Sequence, residues 1–150
     1  MTDDLSIRTA VRDDVGVLRD VRARASLSNE GDRENILANP DTLEFEGEGI
    51  ADGRTRVAVL DGRVVGFSTV VQAEDVDDLD DLFVDPDWMR HGIGLALIGD
   101  VIERARARGA RYLEVTANDH ALAFYTAAGF QPHGRAQTRF GSAARLQMVL

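Results

Sequence analysis

The sequence predicts an α+β fold in which a mixed β-sheet carries helices on both faces, and three observations support this. Residues 79–116 read as strand, helix, strand, and a crossover of that length makes its two strands parallel, with a connection that is almost always right-handed. Two β-branched runs flank Asp61-Gly62, a dipeptide that suits the tight turn of an antiparallel hairpin. The length of 150 residues fits one domain with one core. We therefore expect a single domain over residues 1–150.

The first half of the chain is predicted to hold a strand, two helices and the hairpin. Residues 5–9 form the strand, and apolar residues at spacings of three and four then predict a helix. Residues 32–37 predict a second short helix, and the acidic, glycine-containing residues 44–53 predict a loop. The hairpin strands cover residues 56–60 and 63–71. The apolar positions of the first helix are Val11, Val15, Leu18, Val21 and Ala25.

The second half begins with a strand over residues 79–84, entered through the acidic run 75–81 and ended by Asp85-Pro86. A long amphipathic helix follows and stops at Gly109. The remaining elements are a strand at 112–116, a helix at 119–128, and two closing strands at 130–133 and 145–150. The apolar face of the long helix comprises Gly94, Leu97, Ile98, Val101, Ile102 and Ala105.

Composition excludes several classes of protein. No apolar run approaches the roughly 20 residues of a membrane span, and the acidic start of the chain lacks the regions of a secretory signal, so we expect a soluble, cytoplasmic protein that does not bind membranes. The absence of cysteine excludes disulfides, thiolate metal sites and a cysteine acyl-enzyme. The three histidines, His91, His120 and His133, lack the spacing of metal ligands, so no metal is expected.

A formal net charge of -9 argues against binding a nucleic-acid backbone and favours cationic partners such as amines. A solvated acidic surface that keeps the protein soluble explains the charge equally well.

The most informative chemistry lies where the strand at 79–84 leads into the long helix, through Gly92-Ile93-Gly94. Glycine lets a backbone approach a ligand closely, and the first amides of a helix favour an anion such as a diphosphate. A bare Gly-x-Gly also fits an ordinary helix start, so this feature alone does not decide between the two.

Two motifs make the chain resemble the GNAT superfamily of N-acetyltransferases. Residues 82–86, Leu-Phe-Val-Asp-Pro, followed by residues 92–97, Gly-Ile-Gly-Leu-Ala-Leu, resemble the family's strand, turn and Gly-x-Gly helix start. Residues 118–125, Asn-Asp-His-Ala-Leu-Ala-Phe-Tyr, followed by Gly129-Phe130, are similar to its Asn-x-x-Ala-x-x-Phe-Tyr segment. Met89 departs from the pattern, because the family usually has Gln or Arg there.

The resemblance implies that acetyl-CoA is a substrate and assigns roles to residues. Phe83 and Val84 should offer backbone to the pantetheine arm as an added strand would, with an amide near Val84 facing the acetyl oxygen. Asn118 and Tyr125 should line the thioester end, with Tyr125 as the acid that protonates the leaving thiolate. The diphosphate should lie on the amides of Arg90, His91, Gly92, Ile93, Gly94 and Leu95, with Arg90 adding charge.

Some of these roles have a purely structural alternative. Tyr125 lies on the apolar face of a short helix, where tyrosine is usually a packing residue, and Asn118 could be the N-cap of that helix. A base must also deprotonate the amine, and carboxylates on or beside the predicted strand at 79–84 are candidates. Asp80 is our first choice among Asp78, Asp80, Asp81 and Glu114, although an acidic run before a strand is often only a solvated edge.

We therefore expect an N-acetyltransferase in which an amine attacks acetyl-CoA directly in a ternary complex, because no cysteine can carry the acetyl group. The acceptor is a small-molecule amine or an amine of a protein or peptide. The resemblance implies that a loop corresponding to residues 25–33 selects it, but this polar stretch contains no recognisable pocket motif. The alternative is a sensor or partner domain that binds acetyl-CoA without turnover. Homodimerisation remains open.

Overall fold

The computed structural model describes residues 4–150, apart from the side chains of residues 30, 31 and 42. Residues 1–3, which make up most of the acidic amino terminus from which we expected a cytoplasmic location, therefore lie outside the described residues. Seven strands form one mixed sheet in the order β1-β2-β3-β4-β5-β7-β6, which confirms the α+β class. The elements are β1 Leu5–Thr9, α1 Val15–Leu27, α2 Glu30–Ala38, α3 Glu48–Ala51, β2 Thr55–Leu60, β3 Arg63–Gln72, β4 Val76–Val84, α4 Ile93–Arg108, β5 Tyr112–Ala117, α5 Leu122–Ala127, β6 Gln131–Thr138 and β7 Gly141–Val149.

The chain divides into two compact units, and the first comprises Met1–Thr69 and Asp81–Leu97. Its strands β1, β2 and β3 pair antiparallel. Val57 belongs to an apolar cluster with Leu18 and Val21 of α1, whereas the next residue, Ala58, belongs to a cluster with Ile93 and Leu97 of α4. Because successive strand residues point to opposite faces, helices cover both faces of this part of the sheet.

The second unit comprises Val70–Asp80 and Ile98–Leu150. Val76–Leu79 of β4 pairs in parallel with β5, which confirms the predicted crossover, and β7 pairs antiparallel with both β5 and β6. The buried residues of this unit include Leu79, Leu113, Val115, Leu146 and Phe130. The expectation of a single domain stays a prediction.

Most predicted elements are present, and the hairpin is confirmed closely. Asp61 and Gly62 both have positive φ angles, of 51° and 80°, and Leu60 faces Arg63 across the turn. Several local predictions are wrong. The two closing strands are longer than predicted, at Gln131–Thr138 and Gly141–Val149. Residues 48–51 form the short helix α3 inside the predicted loop, and Val11 is 55% exposed and precedes the helical residues. The Val11 amide donates to the Asp14 carboxylate at 2.7 Å, so a 3-10 turn over Arg12–Asp14 begins the helical region after it.

Candidate functional site

Residues 85–92 form the turn between β4 and α4, and two of them have a left-handed backbone conformation. The strand ends at Val84, a 3-10 helix covers Pro86–Trp88, and α4 begins at Ile93. Between them Arg90 has a φ of 68° and Gly92 a φ of 78°. An L residue such as Arg90 rarely adopts this conformation, so its presence here marks a turn that the surrounding structure holds in place.

The first amides of α4 are available to a ligand. The Ala96 amide donates to the Gly92 carbonyl at 3.0 Å, so the amides of Ile93, Gly94 and Leu95 precede this bond and lack acceptors within the helix. The amino end of a helix carries partial positive charge, which favours an anion. Ile93 is buried among Ala58, Val65 and Leu97 and so anchors the helix start.

The side chains around this turn leave it open to solvent. Arg90, His91, Gly92 and Leu95 are exposed, and Gly94 is half-buried. The ring of His91 lies 5.6 Å from that of Trp88, which packs against the cluster around Ile93. The cationic Arg90 and the unpaired amides together suit a phosphate group, and the turn therefore fits the predicted coenzyme site.

Strand β4 continues beyond its parallel pairing. That pairing covers Val76–Leu79, and the residues from Asp80 to Val84 extend past it. Phe83 packs with its ring centroid 5.7 Å from that of Phe67, and Val84 lies at the cluster that contains Ile93. Both side chains are thus held in the first unit, which fixes the backbone that we expected to meet the pantetheine arm.

Tyr125 is a buried residue of α5 and belongs to the second unit. Its ring makes edge contacts with the rings of Phe124 and Phe130, at centroid distances of 5.2 and 5.5 Å. Burial raises the pKa of Tyr125 to about 12, so the phenol keeps its proton at neutral pH. A general acid needs this protonated state. The ring contacts are equally consistent with the alternative, in which Tyr125 is only a packing residue.

Asn118 follows β5 and precedes α5 in the same unit. Its carbonyl accepts the Ala121 amide at 3.0 Å, and the helix begins three residues later than expected, at Leu122. Ala121 occupies the N-cap position, so the alternative role of Asn118 as the N-cap of α5 is wrong. Asn118 is exposed.

The carboxylates near Asp80 differ in their partners. Arg145 contacts both Asp78, at 3.2 Å, and Glu114, at 2.5 Å. Burial pushes the pKa of Glu114 upward, but hydrogen bonds from Gln147 and Arg145 outweigh it and leave the pKa below its usual value. Asp80 is exposed on β4 and, within residues 4–150, forms no ion pair. It therefore remains the most available carboxylate of this group.

The structure places the predicted site residues in two groups. Residues 83–95 lie together in the first unit, whereas Asp80, Asn118 and Tyr125 lie in the second. Sequence reasoning missed Arg24, whose guanidinium binds Asp85 at the start of the turn. The two residues are 61 positions apart, and no local pattern indicates the pair.

The described residues contain neither a metal-binding cluster nor a helix suited to crossing a membrane. Among residues 4–150, no group of three or more His, Cys, Asp or Glu side chains is arranged to hold a metal ion. None of the helices described has both the length and the apolar character that a membrane crossing requires.

Comparison with known proteins identifies relatives of the sequence and of the fold. The model of the acetyltransferase (GNAT) family matches residues 20–130. An uncharacterised N-acetyltransferase of Methanocaldococcus jannaschii is 35% identical over 85 residues, which cover 50% of this chain and 38% of that protein. The glucosamine 6-phosphate N-acetyltransferase of Trypanosoma brucei brucei is 30% identical over 101 residues, covering 57% and 69% of the two chains.

A solved structure extends the likeness to nearly the whole chain. The PaiA N-acetyltransferase of Thermoplasma acidophilum, in complex with coenzyme A, superposes with a TM-score of 0.80 over 97% of this chain and 99% of the other. Its sequence identity is 17%, so this likeness concerns the fold. The chain spans well under half the length of the archaeal sequence relative, at 38%.

Proposed function

This chain belongs to the acetyltransferase (GNAT) family, and from that premise we propose that it transfers the acetyl group of acetyl-CoA to an amine. The observation that carries the proposal is the start of α4, where three amides precede the bond from Ala96 to Gly92 beside the left-handed Arg90 and Gly92. Such an arrangement binds an anion through backbone donors. The diphosphate of the coenzyme supplies that anion.

The coenzyme would contact two parts of the first unit. Its diphosphate would lie on the amides of residues 90–95, with the Arg90 side chain adding charge. Its pantetheine arm would run along the β4 backbone at Phe83 and Val84, where main-chain hydrogen bonds can form as they do to an added strand. The amide near Val84 would face the acetyl oxygen and stabilise the negative charge that develops there.

The reaction moves one acetyl group and needs two proton transfers. The neutral amine attacks the thioester carbonyl, a C–N bond forms and the C–S bond breaks. The nitrogen loses a proton to a base, and the thiolate gains one from an acid. The absence of cysteine supports direct attack in a ternary complex over an acyl-cysteine intermediate.

Tyr125 is the proposed acid and Asp80 the proposed base. The pKa of Tyr125 is raised to about 12 by burial, so its proton is present at neutral pH, and an ordinary thiol with a pKa of about 8.5 can accept it as the C–S bond breaks. Asp80 is exposed, whereas Asp78 and Glu114 are engaged by Arg145. Its availability supports the choice of Asp80.

The acceptor belongs to the class of amines that carry a lone pair after deprotonation. The trypanosomal relative is named for glucosamine 6-phosphate, which makes amino sugar phosphates one class to test. Amino acids, polyamines and peptides with free amino termini are the others. The net charge of -9 is compatible with a cationic acceptor.

The test is incubation of the purified protein with acetyl-CoA and a panel of these amines, followed by thiol release and mass spectrometry of the amine. We expect one class to yield an acetylated product in the same amount as the free thiol. Binding of acetyl-CoA without thiol release on any amine would instead favour the non-catalytic sensor. Replacement of Asp80 by Asn, with Glu103→Gln at an exposed position of α4 as a control, then tests the base.

A further inference from the structure

Arg24, in the last turn of α1, holds the turn that leads from β4 toward α4. Its Nη1 lies 2.7 Å from Asp85 Oδ2, and its Nη2 lies 3.0 Å from Asp87 Oδ2. Asp85 directly follows β4, and Asp87 lies in the 3-10 helix before the left-handed Arg90. One arginine therefore binds two acidic residues of a single turn.

Both carboxylate oxygens and both backbone polar groups of Asp85 have partners. The residue is 6% exposed, and its Oδ1 accepts the Asp87 amide at 2.9 Å. Its backbone amide donates to the Val65 carbonyl at 2.8 Å, and its carbonyl accepts the Trp88 amide at 2.8 Å. A buried carboxylate needs a cation or several donors, and Arg24 supplies the cation. Arg24 is thus the charged partner of the carboxylate that begins the turn.

From this geometry we infer that Arg24 is a positioning residue for coenzyme binding. It fixes residues 85–88, and through them the direction in which the amides of residues 90–95 face the diphosphate. The inference rests on the proposed function, because the affected ligand is the coenzyme. Arg24 itself does not touch the ligand in this role, but a misplaced set of donors loses much of its affinity even when each donor is present.

The ion pair between Arg24 and Asp85 also joins the turn after β4 to a second segment of the chain. Arg24 directly precedes residues 25–33, the stretch that the family resemblance associates with acceptor choice, and the Arg24 carbonyl accepts the Ser28 amide at 3.1 Å. The ion pair between Arg24 and Asp85 thus connects the beginning of that segment to the turn between β4 and α4.

The chain offers a closely matched control pair. Arg8 and Asp14 lie 2.9 Å apart with side-chain exposures of 45% and 10%, and the corresponding values for Arg24 and Asp85 are 2.7 Å, 48% and 9%. The control pair joins β1 to the residues that precede α1. Loss of either arginine should cost similar stability, and only the loss of Arg24 should change coenzyme binding.

The experiment is a calorimetric titration of coenzyme A into the wild-type protein, Arg24→Gln and Arg8→Gln, with melting curves of all three. We expect Arg24→Gln to raise the Kd roughly fivefold or more, as is typical of coupling between sites, and Arg8→Gln to change it by less than about twofold. Arg24→Lys keeps the charge but lacks the two-armed guanidinium, so its Kd should be intermediate. It also carries the test if Arg24→Gln is too unstable to titrate.

The failing outcomes separate the two ideas. A wild-type protein that binds coenzyme A, together with unchanged Kd values in both Arg24 variants, would overturn the positioning role and leave the proposed function standing. Equal losses in Arg24→Gln and Arg8→Gln would also overturn it, since they indicate a general effect on stability. A wild-type protein that does not bind coenzyme A would overturn both.

Discussion

The Gly92 carbonyl accepts the Ala96 amide at 3.0 Å, while Gly92 itself has a φ of 78°. This residue therefore accepts the first hydrogen bond of α4 and also has a left-handed backbone conformation. The amides of Ile93, Gly94 and Leu95 therefore lie at the amino end of α4 and have no acceptor within the helix. The coenzyme site that we propose is a consequence of this one turn.

Gly94→Val should weaken coenzyme A binding. A bulky side chain beside the amides would keep a phosphate from the backbone, and loss of one charged hydrogen bond of about 1.5–3 kcal/mol corresponds to roughly tenfold or more in Kd. Gly94 is preferable to Gly92, because any side chain at a φ of 78° is strained whether or not a ligand binds.

The control for that variant is Gly99→Ala, farther along α4. A Cβ at Gly99 would meet no atom within 4 Å, so this change should stabilise the helix by about 0.5–1 kcal/mol and leave the Kd unaltered. Calorimetry compares the two variants. A folded Gly94→Val protein with wild-type affinity would show that this turn is only the start of a helix.

Gly66→Ala should disturb the backbone of β4 at Phe83. A Cβ at Gly66 would lie 2.9 Å from the Phe83 carbonyl oxygen and 3.3 Å from side-chain atoms of both Ile93 and Leu97. Overpacking of this kind costs about 1–3 kcal/mol, and the shift of Phe83 should also reduce coenzyme affinity. Gly16→Ala on α1, with no atom within 4 Å of its Cβ, is the matched control and should not destabilise the protein. Chemical denaturation and titration measure both effects, and equal stability of the two variants would contradict the packing argument.

Tyr125→Phe should lower kcat by roughly ten- to a thousandfold, the usual contribution of a positioned acid or somewhat less, with little change in coenzyme affinity or melting temperature. The pKa of about 12 keeps the phenol protonated, so no loss of rate from its ionisation should appear below about pH 11. Tyr112→Phe, at the other tyrosine of the chain, is the control and should keep the wild-type kcat. A wild-type kcat in Tyr125→Phe would leave thiolate protonation to water.

Direct attack by the amine predicts a particular kinetic pattern. Since the chain has no cysteine, both substrates should be bound before the acetyl group moves, and initial-rate lines at several fixed acceptor concentrations should intersect. Parallel lines, or an acetylated protein detected by mass spectrometry after incubation with acetyl-CoA alone, would refute a ternary complex.

Asp14→Asn should remove a pH-dependent part of the stability. The Asp14 carboxylate accepts hydrogen bonds from Arg8, at 2.9 and 3.0 Å, and from the Val11 amide, and Arg8 is the main reason that the pKa of Asp14 lies below its usual value. A lowered pKa stabilises the fold above the unfolded value of about 3.9, and the gain disappears as the pH falls through the folded value. The variant should therefore lose about 1–3 kcal/mol at neutral pH and match the wild type in strong acid. Urea denaturation across pH tests this, and a difference that does not depend on pH would contradict it.

Local sequence patterns predicted the parts of the fold that local physics determines. Asp61-Gly62 gave the hairpin because both residues tolerate positive φ angles, and the periodicity of α4 gave a helix that ends at Gly109 with a φ of 89°. The acidic start of β4 was harder to assign. Asp77 is buried there because it accepts a hydrogen bond of 2.9 Å from Arg108, which lies 31 positions away in the sequence. Tertiary pairing of this kind overrides the low β-propensity of aspartate.

Other features depend on contacts that no local pattern encodes. Helix α3 has four residues, too few for periodicity, and a Cβ at its buried Gly49 would lie 2.7 Å from Thr55 Oγ1, so close packing places it. Strand β6 is exposed almost throughout and follows from its pairing with β7. In the candidate site, the glycine turn was predictable from Gly92 and Gly94, but the ion pair between Arg24 and Asp85 was not.

A titration of the wild-type protein with pantetheine, 4′-phosphopantetheine and coenzyme A shows directly whether the start of α4 binds a phosphate. The first two ligands differ only by a phosphate, so their comparison isolates the anion that the α4 amides should bind. We expect the phosphate to tighten binding roughly tenfold at low salt, coenzyme A to bind more tightly still, and added salt to reduce the difference. Equal affinities for pantetheine and 4′-phosphopantetheine would contradict the assignment of the start of α4 as the phosphate site.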